Sequence, residues 1–232
     1  MSIRCVLKRT GLIFAVAAMA TGSAAQSYAR QPQIAPIQSH PYGQTYSEWA
    51  ADWWQFVLET PATGHPVLDE TGADCDQGDM GNVWFLFGSF GAEAIERSCE
   101  IPVGTALFLP LINQVSARFE GETTTEEELR TQAACVEDAA TTLLFEFNGA
   151  PVSDLDRFFE ESAVFQAQFP PEDALFGFDS IFVDLGVDAG FYLFLRPLPP
   201  GSYELHWEAS SAACGATQDI TYHLTIKPGR RA

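Results

Sequence analysis

The chain has 232 residues, 31 of them acidic and 12 basic, for a formal net charge of −19. A field of that sign repels phosphate backbones and anionic lipid, which excludes nucleic acid and membrane surfaces as expected partners. It leaves small molecules, glycans and cations as the expected ligand classes.

Residues 1–25 have the layout of a secretory signal peptide. Arg4, Lys8 and Arg9 precede an apolar run from Gly11 to Ala20, and Ser23-Ala24-Ala25 supplies the small residues for cleavage before Gln26. The run is too short to span a bilayer. Cys5 lies ahead of it, where no lipid anchor is expected. Cleavage removes three basic residues and no acidic one, taking the net charge from −19 to −22. It also leaves an even set of cysteines (Cys75, Cys99, Cys135, Cys214) for an oxidising, periplasmic or extracellular setting. Three pairings are open. The favoured one is Cys75–Cys99, closing a local loop, with Cys135–Cys214 tying distant segments. Asn82, Asn113 and Asn148 begin no glycosylation sequon, so nothing points to a eukaryotic secretory origin.

Residues 26–43 are rich in Pro, Gln and Ser and read as an extended leader. Thr45 and Glu48 then form the spacing of a capping box, which predicts a helix running to Glu59 before Thr60-Pro61. On it Tyr46, Trp49, Ala50, Trp53, Phe56 and Val57 form one apolar arc, extended by Trp54 and Leu58. Short apolar runs at Val83–Gly88 and Thr105–Leu111 predict strands buried on both faces. A second helix is predicted from Glu126 to about Thr142, with three glutamates in its first turn, where the helix dipole favours them. Leu129, Ala133, Val136 and Ala140 make its buried stripe.

Further strands are predicted at Leu143–Phe147, Ser162–Phe169, Ile181–Leu185 and Phe191–Arg196. A turn at Pro197–Gly201 leads into a last pair, Ser202–Ala209 and Asp219–Ile226. Alternation of Tyr203, Leu205 and Trp207 with Glu204, His206 and Glu208 predicts one buried and one wet face. The expected fold is mainly β: an antiparallel sandwich, jelly-roll or Ig-like, with an N-terminal aromatic helix and an inserted helix. It forms one domain over residues 44–227, followed by a basic tail at 228–232.

Four constellations are candidate sites. His206, His223, Glu204, Glu208 and Asp219 share the wet face of the last hairpin and offer zinc ligands. Asp69, Asp74, Asp76 and Asp79 form an acidic loop that could hold calcium, although the spacing is not that of an EF-hand. Trp49, Trp53 and Trp54 suggest an aromatic platform, with Trp54 and Leu58 at its flank as the ligand-contacting pair. His65, near Asp69 in a loop, is a candidate general base. Each has a plain alternative in solvated charge or packed core. No nucleophile elbow, zincin motif, Walker loop or dinucleotide fingerprint occurs, so no catalytic residue is assigned.

The stretch Tyr42–Phe56 (YGQTYSEWAADWWQF), with Asn82–Gly88 and the Pro197–Gly201 turn followed by Asp219–Tyr222, resembles a group of exported bacterial proteins of unknown function. The resemblance implies a bacterial periplasmic or secreted setting and transfers no activity. The expected function is therefore an exported, disulfide-stabilised binding or envelope-associated module. The alternative is a secreted hydrolase or lyase using carboxylates or a metal. Oligomeric state is left open.

Overall fold

The computed structural model describes residues 31–91 and 93–229, so the signal segment, residues 26–30 of the leader and residues 230–232 of the tail lie outside the described residues. The predicted first helix is present as α1 (Tyr46–Glu59), and its capping box is complete. The Thr45 side chain accepts from the Glu48 amide, and the Glu48 carboxylate accepts from the Thr45 amide at 2.7 Å. Such a cap contributes about 1 kcal/mol.

Two mixed sheets follow. The first contains β1 (Val83–Phe85), β3 (Ala106–Phe119), β6 (Phe159–Glu161), β7 (Phe165–Gln168) and β8 (Phe182–Leu195). The second contains β2 (Ile95–Pro102), β4 (Thr142–Phe147), β5 (Ala150–Pro151), β9 (Gly201–Ser211) and β10 (Ala216–Lys227), in the order β2-β10-β9-β4-β5. Each sheet carries one parallel pair, β1 with β3 and β2 with β10, which corrects the expectation of purely antiparallel sheets. The β2–β10 pair joins strands far apart in sequence (Ile95 meets Ile220), and no local turn signal announces a parallel pair.

The first sheet is buried on both faces, and alternate residues show how. Leu107, Leu109, Leu193 and Leu195 point into a core shared with Leu205, Trp207 and Tyr222 of the second sheet. Ala106, Phe108, Tyr192 and Phe194 point the other way, onto Tyr46, Trp49, Trp53 and Trp54 of α1. The layers therefore run α1, first sheet, second sheet. That stacking accounts for the continuously apolar runs and for the width of the aromatic arc on α1.

Three elements differ from expectation. The second helix, α2 (Glu126–Ala133), is shorter than predicted; Ala134–Glu137 continues as a 3-10 turn, and Ala140 is exposed. Cys135, in that turn, is tied by its disulfide. The segments Ile181–Leu185 and Phe191–Arg196 are parts of one continuous strand, β8. Strand β2 was not anticipated, because Arg97 occupies an inward position that the alternation reserves for apolar residues. The favoured cysteine pairing is the one formed, Cys75–Cys99 and Cys135–Cys214. Part of the leader is anchored too: the Ala35 amide donates to the Phe194 carbonyl, and the Ala35 carbonyl accepts from the Tyr46 hydroxyl. Among the described residues no helix is long and apolar enough to cross a membrane.

Candidate functional site

A cleft of about 420 Å³ opens beside the start of β10. Its walls come from Trp53 and Trp54 of α1, the loop 88–91, residues 110–115 of β3, Phe176, and the segment Cys214–Gln218. Strand β3 shifts register between Pro110 and Ile112, so Leu111 and Ile112 both join the core shared by the two sheets. A bulge of this kind re-aims side chains at the rim of a sheet. The loop at Ser89 is held by Gln218, whose amide carbonyl accepts from the Ser89 amide at 2.8 Å and whose amide nitrogen donates back to the Ser89 carbonyl at 2.6 Å. Gly88 leaves the space that this side chain fills; a Cβ there would collide with the Gln218 amide.

Phe90 and Phe176 stand at the cleft with ring centroids 5.0 Å apart, and both are about half exposed. Phe176 has φ of 62°, in the left-handed region that a bulky side chain rarely adopts. Backbone strain of this kind concentrates at ligand clamps and switch regions.

Behind the cleft lies the most perturbed acid of the chain. Asp188 of β8 is 1% exposed. It accepts from Trp54 Nε1 at 2.8 Å and from the Tyr192 hydroxyl at 2.6 Å, while its own amide donates to Ser162 Oγ. Burial pushes its carboxyl up to about 8, against the hydrogen bonds from Tyr192 and Trp54 that favour the anion. Burial, followed by the neighbouring Asp188 charge, raises Tyr192 as well. Asn113 Nδ2 donates to the Tyr192 hydroxyl at 3.1 Å, so a chain of hydrogen bonds runs from the buried acid to a residue on the cleft wall. Between Asp188 and Tyr192 on the same face stands Gly190, paired with Asn113. A Cβ at Gly190 would lie 2.8 Å from the Ile112 carbonyl oxygen and against Asn113, so its absence makes room for this arrangement.

The expected aromatic platform is core. Trp49, Trp53, Trp54 and Leu58 are all buried, because α1 packs flat on the first sheet. Of the expected ligand-contacting pair, Trp54 lines the cleft while its Nε1 is engaged by Asp188, and Leu58 packs inside the α1 core.

The acidic loop does not gather its aspartates. Among the described residues the one convergent group of metal-ligating side chains is His206, Glu208 and Asp219. Asp69 instead accepts from the amides of Thr71 and Asp74. These bonds outweigh its partial burial and hold its carboxyl below the usual range. Asp79 caps the Gly81 amide. Asp74 and Asp76 flank Cys75, whose disulfide to Cys99 ties the loop to β2.

His65 is neither solvated nor placed as a base. It is 1% exposed, with Nε2 3.0 Å from the Val57 carbonyl and Nδ1 accepting from the Val67 amide at 3.1 Å. Burial pulls its pKa down, so the ring is a neutral strut between α1 and the following loop.

The hairpin residues divide into two groups. Glu208 and Asp219 gather on His206, whereas Glu204 lies by His223. The two imidazoles do not share a ligand set.

Sequence reasoning passed over Asp188, Tyr192, Asn113 and Gln218. The signal that was available is Asp188 itself, one of two acids in the strand Phe182–Leu195. An acid in so apolar a run needs buried partners.

Among the described residues the fold is thus a mainly β, two-sheet, disulfide-crosslinked one with two α-helices. No known protein family matches the chain, and no curated protein matches it in sequence. Solved structures share parts of its path at 11% identity. The cysteine protease inhibitor EhICP2 from Entamoeba histolytica aligns over 56% of this chain and 86% of its own, with a TM-score of 0.23. PbICP-C in complex with falcipain-2 aligns over 63% and 100%, with a TM-score of 0.27. A family 123 glycoside hydrolase from Clostridium perfringens aligns over 58% and 23%, with a TM-score of 0.23. At these scores the likenesses carry no functional argument.

Proposed function

We propose that this chain is an exported, single-domain binding module whose cleft takes an uncharged, hydroxyl-bearing ligand, namely a glycan segment or a comparable small molecule. The observation that carries the reading is the make-up of the cleft wall. Phe90 and Phe176 supply exposed aromatic surface over the buried Trp53 and Trp54, and Ser89, Asn113, Gln114, Thr217 and Gln218 supply neutral hydrogen-bonding groups. Among the described residues no ionisable side chain lines it, in a chain with 31 acidic residues. A cation entering such a cleft would lose water and gain no counter-charge. A sugar ring presents apolar C–H faces to aromatic rings and hydroxyls to amides, which is the mixed surface found here.

The export signal, the two crosslinks and the resemblance to exported bacterial proteins support a periplasmic or extracellular address. The two-sheet core supports a jelly-roll or Ig-like sandwich as the parent architecture. The hydrolase alternative needs an ionisable group facing the ligand, and Asp188 stands behind Trp54 and Asn113.

Titration with neutral oligosaccharides, followed by tryptophan fluorescence and calorimetry, tests the reading. Saturable binding that weakens in Phe176→Ala and Asn113→Ala is the expected result. Phe176→Ala should leave stability within about 0.5 kcal/mol, since the ring is half exposed. Binding of charged sugars alone, or binding indifferent to both variants, would remove the cleft as the site.

A further inference from the structure

The outward face of the second sheet brings titratable residues together from three adjacent strands. His206 and Glu208 stand two residues apart on β9 and so share a face. Asp219 of β10 is directly opposite Glu208, and Glu146 of β4 is directly opposite His206. His206, Glu208 and Asp219 each offer one donor atom, all within 4.8 Å of one another. His206 Nε2 lies 3.2 Å from Asp219 and 3.8 Å from Glu208, while Nδ1 lies 3.4 Å from Glu146.

Two properties separate this corner from an ordinary wet face. The first is charge. Like charges directly across a strand pair are destabilising, yet Glu208 and Asp219 are held that way. Among the described residues no lysine or arginine bridges Glu146, Glu208 or Asp219. Elsewhere on the surface Asp184 has Arg118, Glu126 has Arg130 and Glu100 has Lys227. Three carboxylates around one imidazole leave an excess of negative charge even when the ring is protonated.

The second property is the division of labour between the ring nitrogens. Glu146 takes Nδ1, which turns Nε2 toward the two remaining carboxylates. A carboxylate behind a histidine in this way fixes the tautomer that presents a lone pair to a metal. The other histidine lacks this division. His223 Nε2 meets Glu96 at 2.6 Å and Nδ1 meets Glu204 at 3.7 Å, so each nitrogen faces a single carboxylate.

We propose that His206 Nε2, Glu208 and Asp219 form a surface site for a divalent transition-metal ion of the zinc type, with Glu146 as the positioning residue on Nδ1. One imidazole and two carboxylates suit zinc and its neighbours, while calcium asks for six to eight oxygens. Water completes the shell, since Glu208 and Asp219 are 58% and 40% exposed. The ion would offset the carboxylate excess and crosslink β9 to β10 on the face away from the cleft, independently of what the cleft binds.

Calorimetric titration of zinc chloride into the purified, disulfide-intact chain should show one ion per chain. His206→Gln and Asp219→Asn should each weaken it about tenfold or more, and Glu146→Gln by about tenfold. His223→Gln should change nothing. In long-range proton–nitrogen NMR spectra zinc should shift His206 Nε2 and leave Nδ1 protonated in the native chain. In Glu146→Gln that tautomer preference should be lost, which a merely structural Glu146 would not produce. No saturable zinc binding at millimolar concentration overturns the site. So does binding unchanged in both His206→Gln and Asp219→Asn, or an equal response to calcium, which would show only the pull of an acidic surface.

Discussion

The two faces of strand β10 begin from neighbouring residues and reach opposite chemistry. Gln218 braces the wall of an uncharged cleft, and Ile220, Tyr222 and Leu224 continue inward as buried core. Asp219 and His223 turn outward, Asp219 beside the His206 imidazole and His223 beside the Glu96 carboxylate. On the inner side polar atoms are few, buried and bound to one another over long sequence distances, as Tyr222 is to Arg97. On the outer side they are many and solvated, and their geometry follows directly from strand register. The contrast teaches where the molecule concentrates stability and where it leaves charge available for a ligand. A buried polar network is costly to break, whereas an exposed ion pair contributes little.

The largest effect that would sharpen this contrast comes from the crosslink at the cleft wall. Cys135–Cys214 joins residues 79 apart in sequence, and Cys214 lines the cleft. Replacing both cysteines by alanine should lower unfolding free energy by about 4–5 kcal/mol in urea titrations. The same change at Cys75–Cys99, with a separation of 24, should cost about 3 kcal/mol. If the longer crosslink proves the weaker one, chain entropy is not what holds the cleft side together.

A smaller effect should follow Trp54→Phe, which keeps an aromatic ring and deletes the donor to Asp188. Losing that bond inside the core should cost about 1–3 kcal/mol. Glu96→Gln beside His223 should stay within about 0.5 kcal/mol, because the carboxylate is 72% exposed. Equal losses at the two positions would erase the distinction between the faces.

The last test reads a slope in place of a single value. Asp188 holds its proton in the folded chain up to about pH 8, while an unfolded aspartate releases it near 3.8. The stabilisation tied to that proton is fully present below the unfolded value and is lost as pH rises through the folded one. Stability should therefore fall between about pH 5 and pH 8, by at most about 1.4 kcal/mol per pH unit. Asp188→Asn should flatten that slope in urea titrations run across the range. A slope that survives the substitution would place its origin elsewhere, with His206 as the first group to check. Burial lowers the His206 pKa, but hydrogen bonds to Asp219 and Glu146 outweigh it and raise the group overall.

Much of this architecture could be read from residues close together in sequence. Thr45 and Glu48 set the start of α1 because a cap is satisfied within one turn. The apolar runs at Val83 and Thr105 declared strands covered on both sides, and the alternation from Tyr203 to Glu208 declared one wet face. Cysteine spacing led to the pairing that formed. The cluster of His206, Glu208 and Asp219 on the hairpin was legible for the same reason, since pairing register puts i and i+2 residues beside their cross-strand partners. The register then sorted the expected set of five, leaving Glu204 and His223 apart and bringing in Glu146.

The rest depended on contacts that no local pattern encodes. The run Asp184–Gly190 interrupts an apolar segment, and only the neighbouring strand shows that β8 continues through it. Gly186 faces Phe165 there, and Gly190 faces Asn113. Burial of His65 and the coverage of the tryptophans were decided when α1 docked on the first sheet, and the fate of the aspartate loop by its own amides and the crosslink to β2. By itself the sequence determined the crosslink set, the principal helix and the inward–outward sense of the last hairpin, because each rests on short-range periodicity, end chemistry or spacing. Only the tertiary structure decided the β2–β10 pairing, the Trp54–Asp188 bond and the Ser89–Gln218 brace of the uncharged cleft, because these join residues more than a hundred positions apart.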